Sequence, residues 1–284
     1  MEKKDKMESK FFYKLKSLFI SDTFTLNNGK VVKEKFNPTI YIILSLSALV
    51  LIAAEYTDFD FGAIIKRGHY FTDILVKMFP PSIDYAKTVY GPLIDTLTMS
   101  VVGTMIGVIF ALPMAFLNSS NIIKNKYLIS TLRFILSLLR TIPVLVYALI
   151  SVYIFGIGTF AGTVAIAIFT FSIASKMLYE QIETVDMGPY EALESTGASM
   201  FKSIRYAIYP QIQAYYYSMI LYNFEMNVRS AAILGYVGAG GIGIILNETL
   251  GWKQYQDTAL VLIALIIVVT IIEAISRKIR EILN

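Results

Sequence analysis

Uncharged apolar runs alternate with short polar segments along most of the chain. Residues 36–54, 96–118, 159–175, 206–224 and 258–272 carry no charged side chain. Each approaches the about 20 apolar residues that a helix needs to cross a bilayer. The first opens near Pro38, where a helix start tolerates proline. Residues 127–155 are longer than one crossing needs and contain Arg133 and Arg140 ahead of Pro143. The two arginines are seven positions apart and share one helical face. That spacing predicts an elbow at the inner surface, turning into a further span near Pro143. Gly156 and Gly158 mark a tight turn at the far side. The pattern predicts about six transmembrane helices and an all-α, polytopic fold.

The polar segments divide the chain. Residues 1–35 are lysine-rich and read as a cytoplasmic tail, with Phe11, Phe12, Leu15, Leu18 and Phe19 able to touch the membrane surface. No cleavable leader is expected, because the apolar run comes late and no small-residue cleavage site follows it. Residues 36–92 read as the first span and an external segment. In residues 55–92 acids and bases nearly balance, and the aromatics Tyr56, Phe59, Phe61, Tyr70, Phe71, Phe79, Tyr85 and Tyr90 fit an interfacial belt. Residues 93–284 form the predicted core. Within it Gly103 and Gly107 have the small-residue spacing that lets helices approach closely. After residues 206–224 come Glu225, Asn227 and Arg229, then a small apolar stretch, AILGYVGAGGIGIIL. It predicts a re-entrant or broken element on the outer side, since such backbone must line a cavity or lie buried in protein. Residues 247–257 form an outer loop.

Composition agrees with the pattern. The chain has 284 residues, is 56% apolar and only 16% charged, and its mean hydropathy is +0.60. That is a polytopic membrane protein rather than a soluble domain. The net charge of +4 reflects lysines and arginines held on the cytoplasmic side, not nucleic-acid binding. Basic residues mark the N-terminal tail, the 119–126 loop through Lys124 and Lys126, the 186–210 loop, and the C-terminus through Arg277, Lys278 and Arg280. All four fall on one side if six spans are drawn, with both termini cytoplasmic.

Candidate chemistry is sparse. The chain has no cysteine and one histidine, His69, so thiol chemistry and a His-rich metal site are excluded. No HExxH, GxSxG or Walker A pattern occurs, so the chain is not expected to be an enzyme or to hydrolyse ATP itself. Gly238-Ala239-Gly240-Gly241-Ile242-Gly243 matches GxGxxG, but no carboxylate lies about 20 residues on and a span begins instead. It reads as flexible, closely packed backbone beside a pathway. Arg140 and Arg229 are charges within apolar surroundings, where an arginine costs roughly 3 kcal/mol at a helix centre. Glu225 and Arg229 stand i, i+4 and can pair. Arginine's planar fork suits an oxyanion. Residues 191–210, EALESTGASMFKSIRYAIYP, form a polar amphipathic island, with acids early and bases late as a helix dipole prefers. Gly197 predicts a bend between two short helices, and Ile208-Tyr209-Pro210 is expected to close the segment.

The order Glu191-Ala192, Gly197, Ile208-x-Pro210 resembles the EAA loop of ABC-importer permeases, although Leu193 and Tyr209 depart from the usual residues. Arg140-Thr141-Ile142-Pro143, and the run from Asn223 through Arg229 to Gly243, resemble the phosphonate-type branch. The resemblance covers roughly residues 90–280. It implies a type I importer permease core whose 186–210 loop couples to an ATPase through Glu191, Ala192, Gly197, Ile208 and Pro210. It implies a translocation pathway near Arg140, Pro143, Glu225, Asn227, Arg229, Gly238, Gly240 and Gly241. The implied partners are an ABC ATPase carrying ATP and magnesium, an extracytoplasmic substrate-binding protein, and a second permease, identical or paralogous, in a cell membrane. No cofactor is implied in this chain. The alternatives are a permease for another small solute such as methionine, or an ATPase-independent membrane enzyme or channel.

Overall fold

Residues 23–25, 29–33 and 39–283 are described by a computed structural model. The chain divides into two compact units, residues 1–72 and 73–284. In the first, β1 (Thr23–Thr25) pairs antiparallel with β2 (Val31–Lys33), Phe24 opposite Val32. β-branched and aromatic residues favour this short ladder, and among the described residues it is the one departure from an all-α fold. The rest of the expected tail lies outside the described residues. α1 (Thr39–Tyr56) follows, then α2 (Phe61–Met78), which carries the chain into the second unit. Asp60 Oδ1 accepts the Gly62 amide at 2.7 Å and caps α2.

The second unit is helical throughout its described residues. A 3₁₀ turn at Ile83–Tyr85 leads into α3 (Ala86–Asn118), α4 (Lys126–Thr141), α5 (Val144–Phe155) and α6 (Thr159–Ile182). The polar segment holds α7 (Gly188–Ser195), α8 (Met200–Ser203) and a π turn at Ile204–Ile208. α9 (Tyr209–Leu234), a 3₁₀ turn at Gly235–Val237, α10 (Ile242–Gly251) and α11 (Tyr255–Leu283) complete the chain. α3, α6 and α11 are each long and apolar enough to cross a membrane, and two bent pairs pass the same test, α4 with α5 and α8–α9 with α10. α1 supplies a shorter apolar helix. These are the six segments that the apolar runs predict. α3 begins before the uncharged run does, so the boundary expected at 92/93 falls inside one helix.

α3 and α6 form the axis of the core. A Cβ on Gly103 would lie 2.7 Å from Ile166 Cγ2, and one on Gly107 2.7 Å from the Ala167 carbonyl. Glycine at both positions lets the two backbones meet, as the spacing predicts. Buried Asn227 of α9 ties into this axis, donating to Thr104 Oγ1 at 2.7 Å and Thr170 Oγ1 at 2.8 Å.

The elbow exists but sits deeper than expected. α4 and α5 meet at 86° across Ile142 and Pro143. Arg133 reaches Glu183 at the C-terminal end of α6, while Leu139 lines a cavity with Gly107, Ala167, Ile168 and Phe171. The bend therefore lies beside the middle of α6, not at its C-terminal end. α5 has 12 residues, about 18 Å of helix, which is too short to cross alone. Proline has no N–H, so the Leu139 carbonyl loses its usual donor at position 143. Tyr147 Oη supplies the missing hydrogen bond at 2.7 Å.

Candidate functional site

The polar loop is built as two short helices about Gly197. Asp186 Oδ1 accepts the Gly188 amide at 2.9 Å, and Pro189 sits in the first turn of α7. At its end the Gly197 amide donates to the Glu194 carbonyl at 2.9 Å, and the Ala198 amide to Leu193 at 3.2 Å. This Schellman arrangement needs a left-handed residue at its corner, and Gly197 has φ +82°. A Cβ there would meet nothing within 4 Å, so backbone conformation alone demands glycine. The far end differs from expectation. Ile208-Tyr209-Pro210 does not close the segment, because helical backbone continues through the π turn into α9, with Pro210 in its first turn.

The loop shows one face and buries another. Glu191, Ala192, Gly197 and Pro210 are exposed, together with Met200, Phe201 and Tyr206. Ile208 is fully buried, packed in one cluster with Tyr190, Leu178 and Ile212. Ile208 is thus an anchor and not a contact residue, which corrects its expected place. Gln211 fixes the loop from behind. Its Oε1 accepts the Asp186 amide at 3.1 Å, and its Nε2 donates to the carbonyls of Asp186 at 3.0 Å and Ala207 at 2.8 Å. Asn121 Nδ2 donates to the Ile182 carbonyl at 2.7 Å.

A second clamp joins the C-terminal ends of α3 and α6 to the middle of α4. The Arg133 guanidinium donates to the Asn118 carbonyl and to Glu183 Oε1, and stacks 4.4 Å from the Tyr179 ring centre. Ser120 donates to the same carboxylate through its amide and its hydroxyl. Burial alone would raise the Glu183 carboxyl. The hydrogen bonds from Ser120 and the charge of Arg133 outweigh it and hold the group below its ordinary value.

The expected pathway residues separate into three environments. Glu225 is buried and binds Arg229 of its own helix at 2.5 Å and Arg280 of α11 at 3.4 Å. Arg229 also reaches Glu273 at 3.3 Å, and Glu273 meets Arg277 at 3.7 Å. Three arginines against two glutamates leave one positive charge in this seam, and the Arg229 side chain stays 43% exposed. Glu225 and Arg229 belong to the body of α9, which runs on to Leu234, and Glu273, Arg277 and Arg280 belong to α11. Asn227 faces the opposite way, into the core. Gly240 and Gly241 are buried and Gly238 half-buried. All three have positive φ, between +72° and +87°. A Cβ on Gly240 would lie 2.6 Å from the Thr159 amide nitrogen, and one on Gly241 2.5 Å from Thr96 Oγ1. The Gly158 amide donates to the Gly238 carbonyl at 3.0 Å, and the Ile242 amide to Thr96 Oγ1 at 2.7 Å. The glycine turn is a packed hinge, so within this chain Asn227, Gly240 and Gly241 do not line open space. At the elbow, Pro143 is exposed and Arg140 half-buried, its Nε without a hydrogen-bond partner among the described residues.

Residues 103–284 match the family model for the inner membrane component of binding-protein-dependent transport systems. This chain belongs to that family. The permease is 34% identical over 234 residues to the phosphite transport system permease protein PtxC of Stutzerimonas stutzeri, covering 82% of this chain and 85% of that one. It is 30% identical over 233 residues to the phosphate-import permease protein PhnE of Mycolicibacterium smegmatis, covering 82% of this chain but 44% of the longer relative. An inward-facing structure of the MetNI methionine ABC transporter matches with a TM-score of 0.64 at 23% identity, covering 72% of this chain and 99% of that one. Such a likeness speaks for the fold alone.

Sequence reasoning about the permease missed the clamp residues Ser120, Glu183 and Gln211, and the partners Glu273 and Arg280. Met200, Phe201 and Tyr206 carried a signal, being large apolar residues in a polar island. Glu273 carried a weaker one, as the acid that directly follows the uncharged run 258–272.

Proposed function

We propose that this permease is the transmembrane subunit of an ATP-driven importer for a phosphorus oxyanion. The observation that carries the reading is the extent of the likeness to permeases named for phosphite and phosphate, at 30–34% identity over four-fifths of the chain. The geometry supplies two supporting features. One is the 186–210 loop, held from behind by Ile208 and Gln211 while Ala192, Met200, Phe201 and Tyr206 face outward. That is a rigid, partly apolar surface for an ATPase subunit. The other is the Arg229 guanidinium, half-exposed in a seam with one excess positive charge. Its fork can hold an oxyanion through two parallel hydrogen bonds.

The loop and both termini lie on the ATP side in this reading, and a substrate-binding protein delivers solute to the other. A second permease, identical or paralogous, completes the pathway. ATP closes the paired ATPases, draws the two loops together and favours the outward-open state. Hydrolysis releases them. The nucleotides act by binding one state better than the other.

Vesicles holding the permease, its ATPase and its binding protein test the proposal. ATP-dependent uptake of radiolabelled phosphite, phosphate or a phosphonate is expected. Uptake of methionine or another solute, with none of these three, would overturn it.

A further inference from the structure

We propose that α2 lies flat on the outer membrane surface, its apolar face sunk among the lipids and its charged face in water. The helix cannot be a span. Its 18 residues include Lys66, Arg67, His69, Asp73 and Lys77. These charges are segregated. At 100° per residue, Ile64, Ile65, Phe71, Leu75 and Val76 share one side, while Lys66, His69, Asp73 and Lys77 share the other. Arg67 falls at the margin, where a long side chain can reach outward to the headgroups.

Among the described residues the apolar side is exposed. Ile65 is 85% exposed, Phe71 68% and Val76 72%. Connectivity says what covers it. α1 ends at Tyr56 and α2 begins at Phe61, so four residues join them. Four residues reach about 14 Å at full extension. α3 starts at Ala86, and seven residues join it to Met78. Both flanking helices are apolar segments of the membrane region, so α2 is tethered at each end to the surface where they emerge. A helix of about 27 Å held there with an unpartnered apolar face settles about 5–10 Å into the headgroup boundary. Lys66, Arg67 and Lys77 against Asp73 leave two excess positive charges, which suits anionic headgroups. The family match starts at residue 103, so α2 stands outside the matched core. Placement on the outer side rests on the orientation proposed above, since three crossings separate α2 from the 186–210 loop.

The chain has no cysteine, so single-cysteine variants of the permease can be made directly, in complex with partner subunits whose own thiols are blocked or removed. The intact transporter in lipid nanodiscs would carry spin labels at Ile65→Cys, Phe71→Cys and Leu75→Cys, and separately at Lys66→Cys, His69→Cys, Asp73→Cys and Lys77→Cys. The expected result is several-fold greater collision with oxygen for the first set and with a water-soluble nickel chelate for the second, repeating with a helical period. Uniform accessibility along α2 would overturn the proposal. So would an apolar set that is water-exposed until the binding protein is added, because that identifies a protein dock. In sealed vesicles, an impermeant maleimide should modify the second set from the binding-protein side. Modification only from the ATPase side would overturn the outer placement. Transport of a different solute would leave the placement of α2 untouched, so the two failures are distinguishable.

Discussion

Gly197 and Gly243 are glycines for opposite reasons. Gly197 has open space around it and a backbone only glycine adopts readily. Gly243 has ordinary backbone, but a Cβ there would lie 2.1 Å from the Ala232 carbonyl. Gly197→Val should cost about 1–2 kcal/mol of local strain, leave the permease in the membrane, and sharply lower uptake and stimulated ATP hydrolysis. Gly197→Asn should retain more of both, since asparagine tolerates the left-handed region. Equal activity of the two variants, measured in reconstituted vesicles, would remove the corner from the coupling account. Gly243→Ala should instead reduce the yield of folded permease on size-exclusion chromatography. The bend at Gly197 was legible, because a glycine in a short amphipathic stretch has few other uses. The role of Gly243 was not, because nothing local in a GxGxxG run says which backbone will press against it.

Elements meet through groups far apart in sequence. Glu183, Ser120 and Arg133 are separated by 50 and 63 positions from their partners, so no local pattern reveals the clamp. Its electrostatics has a sign. Glu183 is held below its ordinary value, so its contribution to stability is present above the unfolded value, about 4.3, and disappears as pH falls through the folded value. Glu183→Gln should therefore lower the thermal midpoint at neutral pH, and the gap to the parent should narrow below about pH 4. A gap independent of pH would show that packing, not charge, holds these helix ends. At the elbow, Tyr147→Phe should cost about 1 kcal/mol by leaving the Leu139 carbonyl without a donor, read as a lower thermal midpoint in detergent. The elbow itself was legible from Pro143 and the arginines before it. Its depth was not, because depth depends on which turn of α6 receives Leu139.

At the scale of the molecule, the apolar runs located the crossings, since a bilayer imposes length and composition on any helix that spans it. Helix ends were legible only roughly. α3, α6 and α11 extend past their uncharged runs because charged residues at a span's end reach water along long side chains. The GxGxxG run, which its context marked as closely packed backbone, forms a packed turn, while the charged seam of Glu225, Arg229, Glu273, Arg277 and Arg280 emerged only when α9 and α11 were side by side. In the proposed function, that seam and the loop serve one transporter of phosphorus oxyanions. The most direct measurement is ATP hydrolysis by the purified permease–ATPase complex as its binding protein is titrated with phosphite, phosphate and a phosphonate. Stimulation by at least one of the three, sharply lowered by Gly197→Val, is the predicted result. An attached ATPase that responds to none of them, but to a solute without phosphorus, would contradict it.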